Sequence, residues 1–142
     1  MSADISEKNY YWNLFLTTCY GDRAEEIKNI VELIKADKHP KGKTYIFVGG
    51  VGSGKSTALE IICRMLYDKP DVQIVWDCRS GKHPIPYLEN KIIFTSSNLM
   101  PEHNYDDIFV IETTGDRLPL SEYRTMREVL NCELNWKLID PC

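Results

Sequence analysis

Long apolar runs are missing from this 142-residue chain. No stretch approaches the roughly 20 consecutive apolar residues of a membrane-spanning helix. The polar N-terminus has none of the apolar character of a signal peptide. Cysteine pairs are missing too. The five cysteines, at 19, 63, 78, 132 and 142, are odd in number and form no C-x-x-C. That speaks against a zinc site or a disulfide framework and predicts mostly reduced thiols, with Cys63 in the core. There is no basic excess: 17 Lys and Arg stand against 21 Asp and Glu, a net charge of −4. Broad electrostatic adhesion to nucleic acid is thereby disfavoured, and a local basic patch is not. Internal repeats and low-complexity tracts are absent. These absences together predict a protein of the cytoplasm or nucleus, neither secreted nor membrane-bound.

What is present suits one domain with a real core. Hydrophobic residues make up 43% and charged residues 27%, in a chain too short for two domains. Residues 8–20 carry Trp12, Phe15, Leu16 and Cys19 at helical spacing, with Gly21 as a stop. A second helix follows. Asp22 and Glu25 resemble a capping box, and Ile27, Ile30, Val31 and Ile34 form one face. Both stripes read as packing surface. The basic loop Lys38-His39-Pro40-Lys41-Gly42-Lys43 is either a phosphate or nucleic-acid contact or a solvated turn.

The centre of the sequence is Gly49-Gly50-Val51-Gly52-Ser53-Gly54-Lys55-Ser56-Thr57. It fits G-x-x-x-x-G-K-[ST], the phosphate-binding loop of P-loop NTPases. The run Thr44 to Val48 before it reads as a buried strand, and Lys55 to about Tyr67 after it as a helix. In such a loop, glycines let backbone N–H groups approach phosphate oxygens, and the helix N-terminus adds partial positive charge. Lys55 would reach the β- and γ-phosphates of ATP, and the Ser56 hydroxyl would ligate Mg²⁺.

Three further β-like runs follow, Val72 to Asp77, Lys91 to Ser97 and Ile108 to Thr113. The links between them are short and lack helical pattern. Parallel strands ordinarily need longer crossovers, so a hairpin or an irregular arm is expected in at least one link. The run Ser121 to Asn131 predicts a last helix, with Tyr123, Met126, Val129 and Leu130 inward. The expected fold is α/β, a P-loop core at 44–142 with a short central sheet flanked by helices. A helical pair within 1–43 packs on it.

Lys91-Ile92-Ile93-Phe94-Thr95-Ser96-Ser97-Asn98 is an apolar strand with a polar end. Beside a phosphate loop, Asn98 can meet the γ-phosphate or its attacking water, or it can be a turn residue before Pro101. With the 49–57 loop, this run resembles the superfamily 3 helicases of DNA viruses, AAA+-like hexameric motor ATPases. The resemblance spans about residues 25–130. It implies ATP and Mg²⁺ as ligands, a homo-oligomer such as a hexamer, single-stranded DNA or RNA as partner, and viral genome replication in the cytoplasm or host nucleus. It implies that Asn98 senses the γ-phosphate. It gives Lys82 and His83 the tip of a DNA-gripping hairpin, against the alternative of an exposed turn. It gives Arg117 the role of an arginine acting on a neighbour's nucleotide, against the alternative of an ion pair with Asp116 or Glu112. It assigns Mg²⁺ to Ser56 and Asp77. The family's strand ends in two acids. Here either Asp77 is the strand's one acid, followed by Cys78 and Arg79, or the 72–77 run is the first arm of the basic hairpin and the acidic strand is missing; both put fast hydrolysis in doubt.

Two other functions fit the same residues. A small P-loop kinase would use Asp77 as base toward an acceptor hydroxyl, with Arg64, Arg79, Arg117, Arg124 and Arg127 available to clamp phosphates. A nucleotide-binding interaction module with little turnover would need no second acid.

Overall fold

The computed structural model describes residues 5–50, 52–76, 85–101 and 105–131. Helix α1 (Ile5–Tyr20) leads through a 3-10 turn (Gly21–Arg23) into α2 (Ala24–Lys35). Strand β1 (Lys43–Val48), helix α3 (Lys55–Met65) and strands β2 (Val72–Val75), β3 (Ile92–Ser97) and β4 (Ile108–Glu112) follow, and α4 (Leu120–Asn131) ends the described chain.

Gly21 stops α1 at φ +55°. It is not followed by the expected capping box. Arg23 stands at the N-cap of α2 without a side-chain cap, and the Ala24 N–H bonds back to the Gly21 carbonyl. The 3-10 turn thus satisfies a backbone donor of the first turn without a side-chain cap.

The four strands form one all-parallel sheet in the order β2-β3-β1-β4. The protein is therefore α/β. β3 is buried along its whole length and β1 nearly so, as central strands covered on both faces must be. A single apolar cluster joins the N-terminal helices to the sheet and includes Leu16, Ile27, Phe47, Leu59, Phe94 and Met126. Burying each such side chain contributes about 1.5–3 kcal/mol.

Parallel pairing excludes a simple hairpin between consecutive strands. The β3–β4 link is a short crossover over β1, and its described residues include no helix. Length explains why none is needed. The ten residues 98–107 can reach about 35 Å when extended. Running back along β3 and across two strand spacings takes about 22 Å.

One other expectation changes and one open alternative is resolved. Cys63 is half-buried, and Cys19 is the buried thiol among the described cysteines. The basic 38–43 loop lies at the opposite end of β1 from Gly49. There Lys41 pairs with Asp71 at 3.2 Å and Lys43 with Asp107 at 2.6 Å. It can therefore not touch a phosphate held by the 49–57 loop. In α4 the expected inward face is present: Met126 and Val129 are buried, and Tyr123 and Leu130 are half-buried and packed against the core.

Candidate functional site

Strand register builds the site. Val48 is paired with Ser97 of β3 on one side and with Glu112 of β4 on the other. The next residue of each strand, Gly49, Asn98 and Thr113, therefore leaves the sheet at the same end. Two hydrogen bonds extend the pairing there: Gly49 N–H to the Ser97 carbonyl at 3.3 Å, and Thr113 N–H to the Val48 carbonyl at 2.9 Å. The chain runs from β3 across β1 to β4, so this is the point where strand order reverses. Open α/β sheets bind ligands at such points, beyond the carboxyl ends of the strands.

The loop between β1 and α3 is tightly held. Gly52 has φ +77° and Gly54 φ +99°, conformations that favour glycine. A Cβ at Gly49 would lie 2.6 Å from the Ser53 Oγ and would collide with the Thr113 hydroxyl. Ser53 donates its hydroxyl to the Gly50 carbonyl at 2.7 Å. Tyr20, at the end of α1, donates to the Gly54 carbonyl at 3.2 Å. Its phenol is pushed well above its ordinary range, mainly by burial.

Lys55 opens α3 and is 8% exposed. Its ammonium donates to the Gly49 carbonyl at 2.7 Å and to the Asn98 side-chain oxygen. The two sequence elements singled out for phosphate chemistry thus meet at one charged group. Ser56 is exposed beside the loop, and Thr57 is buried. The Thr57 hydroxyl pairs with the Tyr123 hydroxyl at 2.9 Å, and Tyr123 accepts a further bond from Arg127 at 3.3 Å. Arg127 also pairs with Glu60 at 2.8 Å.

A cavity of about 430 Å³ opens beside the loop, lined on one side by Gly52 to Thr57. Phe15 and Cys19 of α1 form another wall, and Arg117, Leu118, Leu120 and Tyr123 close the third. Arg117 lies over its own chain's loop: a Cβ at Gly52 would be 3.0 Å from its Nη2 and 3.2 Å from its Cζ. The resemblance had implied a reach to a neighbour. Among the described arginines considered as phosphate clamps, Arg117 alone lines this cavity. Arg64 is buried in α3, Arg127 is engaged with Glu60, and Arg124 is exposed on α4.

Val51, Asp77, Arg79, Lys82 and His83 lie outside the described residues. Among the described residues, no group of three or more His, Cys, Asp or Glu side chains is arranged to hold a metal ion. Mg²⁺ would there depend on the Ser56 hydroxyl and on oxygens that a nucleotide brings, a fit that hard, oxygen-seeking Mg²⁺ commonly adopts.

Phe15, Cys19, Tyr20, Thr113, Leu118 and Tyr123 join the site without a sequence motif to announce them. The α1 stripe had read as packing alone. Its hint was the pairing of an aromatic helix with a chain long enough to fold it back over the loop.

No protein-family model matches this sequence, and no curated protein matches it as a significant relative. No described helix is long and apolar enough to cross a membrane.

Proposed function

We propose that the chain is a nucleoside triphosphate-binding P-loop module, an ATPase of the superfamily 3 helicase type working in genome replication. The carrying observation is the bridge that Lys55 makes between the Gly49 carbonyl and Asn98. A phosphate on the loop would meet both the lysine and the polar residue of the adjacent strand.

In this reading the glycine-rich backbone and the N-terminus of α3 cradle the phosphate chain. Lys55 turns from Gly49 and Asn98 toward the β- and γ-oxygens. Asn98, released from the lysine, orients water. Arg117 adds positive charge at the loop of its own chain. Ser56 and Asp77 would hold Mg²⁺, which when bound neutralises charge on the phosphate oxygens. Lys82 and His83 would meet nucleic acid through its backbone, without reading sequence.

The lone acid at the end of the 72–77 run favours a second reading, a nucleotide-binding module with little turnover. One experiment separates them: ATP hydrolysis by the purified chain with and without single-stranded DNA, beside Lys55→Ala and a measurement of oligomeric size. DNA-stimulated turnover in a ring, lost in Lys55→Ala, supports the motor. Tight binding by a monomer without turnover supports the second reading. Unchanged ATP affinity and rate in Lys55→Ala would remove both.

A further inference from the structure

We propose that the cavity beside the glycine-rich loop grips the phosphate chain by polar contacts and seats the base by apolar contact alone. The site would then accept ATP and GTP with little preference. This rests on reading the 49–57 loop as a phosphate cradle, and it adds the substrate class that the loop by itself does not specify.

The cavity lining is of two chemical kinds. The polar groups are the loop backbone, the Lys55 ammonium and the Ser56 hydroxyl. The apolar groups are Leu118, Leu120, the face of Tyr123 and the Phe15 ring, which lies against Gly54. A volume of about 430 Å³ is within the range of small-ligand sites, roughly 300–1,000 Å³. Leu120 is 62% exposed at this wall. A large apolar side chain kept in water beside a phosphate loop is accounted for if a flat heterocycle covers it when the site fills.

Among the described residues, the side-chain and backbone groups of α1 and Tyr123 that flank the apolar lining are engaged within the protein. The Cys19 carbonyl accepts the Thr114 N–H at 2.8 Å, and the Thr18 carbonyl accepts the Thr114 hydroxyl at 2.8 Å. Tyr20 is committed to Gly54, and the Tyr123 hydroxyl to Thr57. Burial and the nearby Asp116 charge push the Cys19 thiol up to about 11, so it stays a neutral, weak donor. Arg117 is placed against Gly52, at the phosphate end. Adenine and guanine differ in the donors and acceptors on their ring edges. A site that hydrogen-bonds such an edge rejects the wrong partner by about 10⁴-fold or more, whereas an apolar pocket separates close analogues by only about 10- to 200-fold at most.

Calorimetric titration of the full chain in Mg²⁺ with ATP, GTP and inorganic tripolyphosphate tests this. Wild type would be compared with Leu120→Ser and Leu118→Ser, with thermal melts to check folding; Leu120 is exposed enough to leave the fold intact. We expect ATP and GTP dissociation constants within about fivefold of each other, and Leu120→Ser to weaken both by about fivefold. Tripolyphosphate should bind wild type and Leu120→Ser alike. An ATP-to-GTP ratio beyond about 100-fold in either direction overturns base tolerance. Nucleotide affinity unchanged in both leucine variants, or lost in step with tripolyphosphate, overturns the seat of the base. Failure of all three ligands to bind wild type overturns the phosphate-loop reading and this proposal with it.

Discussion

The Lys55 ammonium donates to the side-chain oxygen of Asn98 from the neighbouring strand, while also holding the Gly49 carbonyl at 2.7 Å. Lys55 is nearly buried there, so these partners compensate a charge that would be costly to leave alone. A bound phosphate would compete for the same ammonium, and that competition ties nucleotide occupancy to the position of Asn98.

Asn98→Ala should therefore lower stability by about 1–2 kcal/mol, a fall in Tm of roughly 4 °C. Nucleotide affinity should hold or rise slightly, because the lysine loses a competing partner. Hydrolysis should slow by about a hundredfold through loss of water positioning. Titration beside a steady-state rate assay checks this. Binding and rate lost together, or an unfolded chain, would make Asn98 structural.

Gly52 carries a second expectation. Its φ of +77° is costly for any other residue, and a Cβ would press on the Arg117 guanidinium at 3.0 Å. Gly52→Ala should cost about 1 kcal/mol in stability. It should also weaken triphosphate binding by at least about tenfold as Arg117 is displaced. A melt and a titration on one sample read both effects. A variant that binds like wild type would show that Arg117 can move at no cost.

Tyr123 links the last helix to the loop helix through the Thr57 hydroxyl at 2.9 Å. Tyr123→Phe leaves the ring in place and removes that bond together with the one accepted from Arg127 at 3.3 Å, so the buried Thr57 hydroxyl loses a partner. A loss of about 1 kcal/mol follows, seen as a Tm lower by roughly 3 °C. Tyr123→Phe combined with Thr57→Val should lose less than the sum of the two single changes, the sign that they share one interaction.

Much of this was legible in the sequence where a motif forces local geometry. The 49–57 loop needs glycine at 49, 52 and 54, and the strand before it and the helix after it follow from hydrophobic pattern. Asn98 was legible as the polar end of an apolar strand, but its meeting with Lys55 was not, because that depends on β3 lying beside β1. The parallel course of β3 and β4 was not legible either. Link length suggests a hairpin there, and only the sheet order shows that a short crossover suffices. The apolar lining of the cavity escaped for a different reason. Phe15 and Leu118 are ordinary core-type residues, and only tertiary folding turns them toward the loop. Arg117 was singled out from the sequence, but its position over its own chain's Gly52 is a property of the 113–120 path after β4.

Cys19 sets a pH dependence. Its thiol is raised from an ordinary 9.0 to about 11 by burial first and by the Asp116 charge second. The folded state thus keeps its proton where the unfolded chain has lost it. That contribution to stability is whole below pH 9, and it declines as pH rises from about 9 toward 11. By pH 10 the loss is on the order of 1 kcal/mol. Cys19→Ala should flatten this part of the stability profile. Urea melts at pH 8, 9 and 10 on both proteins make the comparison. Equal slopes would mean that other groups, Tyr20 among them, carry the alkaline loss.

The position of Arg117 gives the sharpest test of how the site is assembled. Arg117→Ala and Lys55→Ala should each lower turnover by about a hundredfold or more. If Arg117 served a neighbour, mixing the two inactive proteins would recover activity. A Lys55→Ala chain would lend its arginine to the intact loop of an Arg117→Ala chain. With Arg117 lying against Gly52 of its own chain, no site in the mixture holds both groups. We therefore expect no recovery at any mixing ratio, measured as ATP turnover after co-refolding so that subunits exchange fully. Arg117→Ala should also weaken triphosphate binding more than diphosphate binding in a dilute, monomeric sample, if the guanidinium beside Gly52 meets the terminal phosphate of a nucleotide on the loop. Recovery of a quarter or so of wild-type activity in an equal mixture, the statistical share for random dimeric pairing, would place the arginine in the neighbour's site instead.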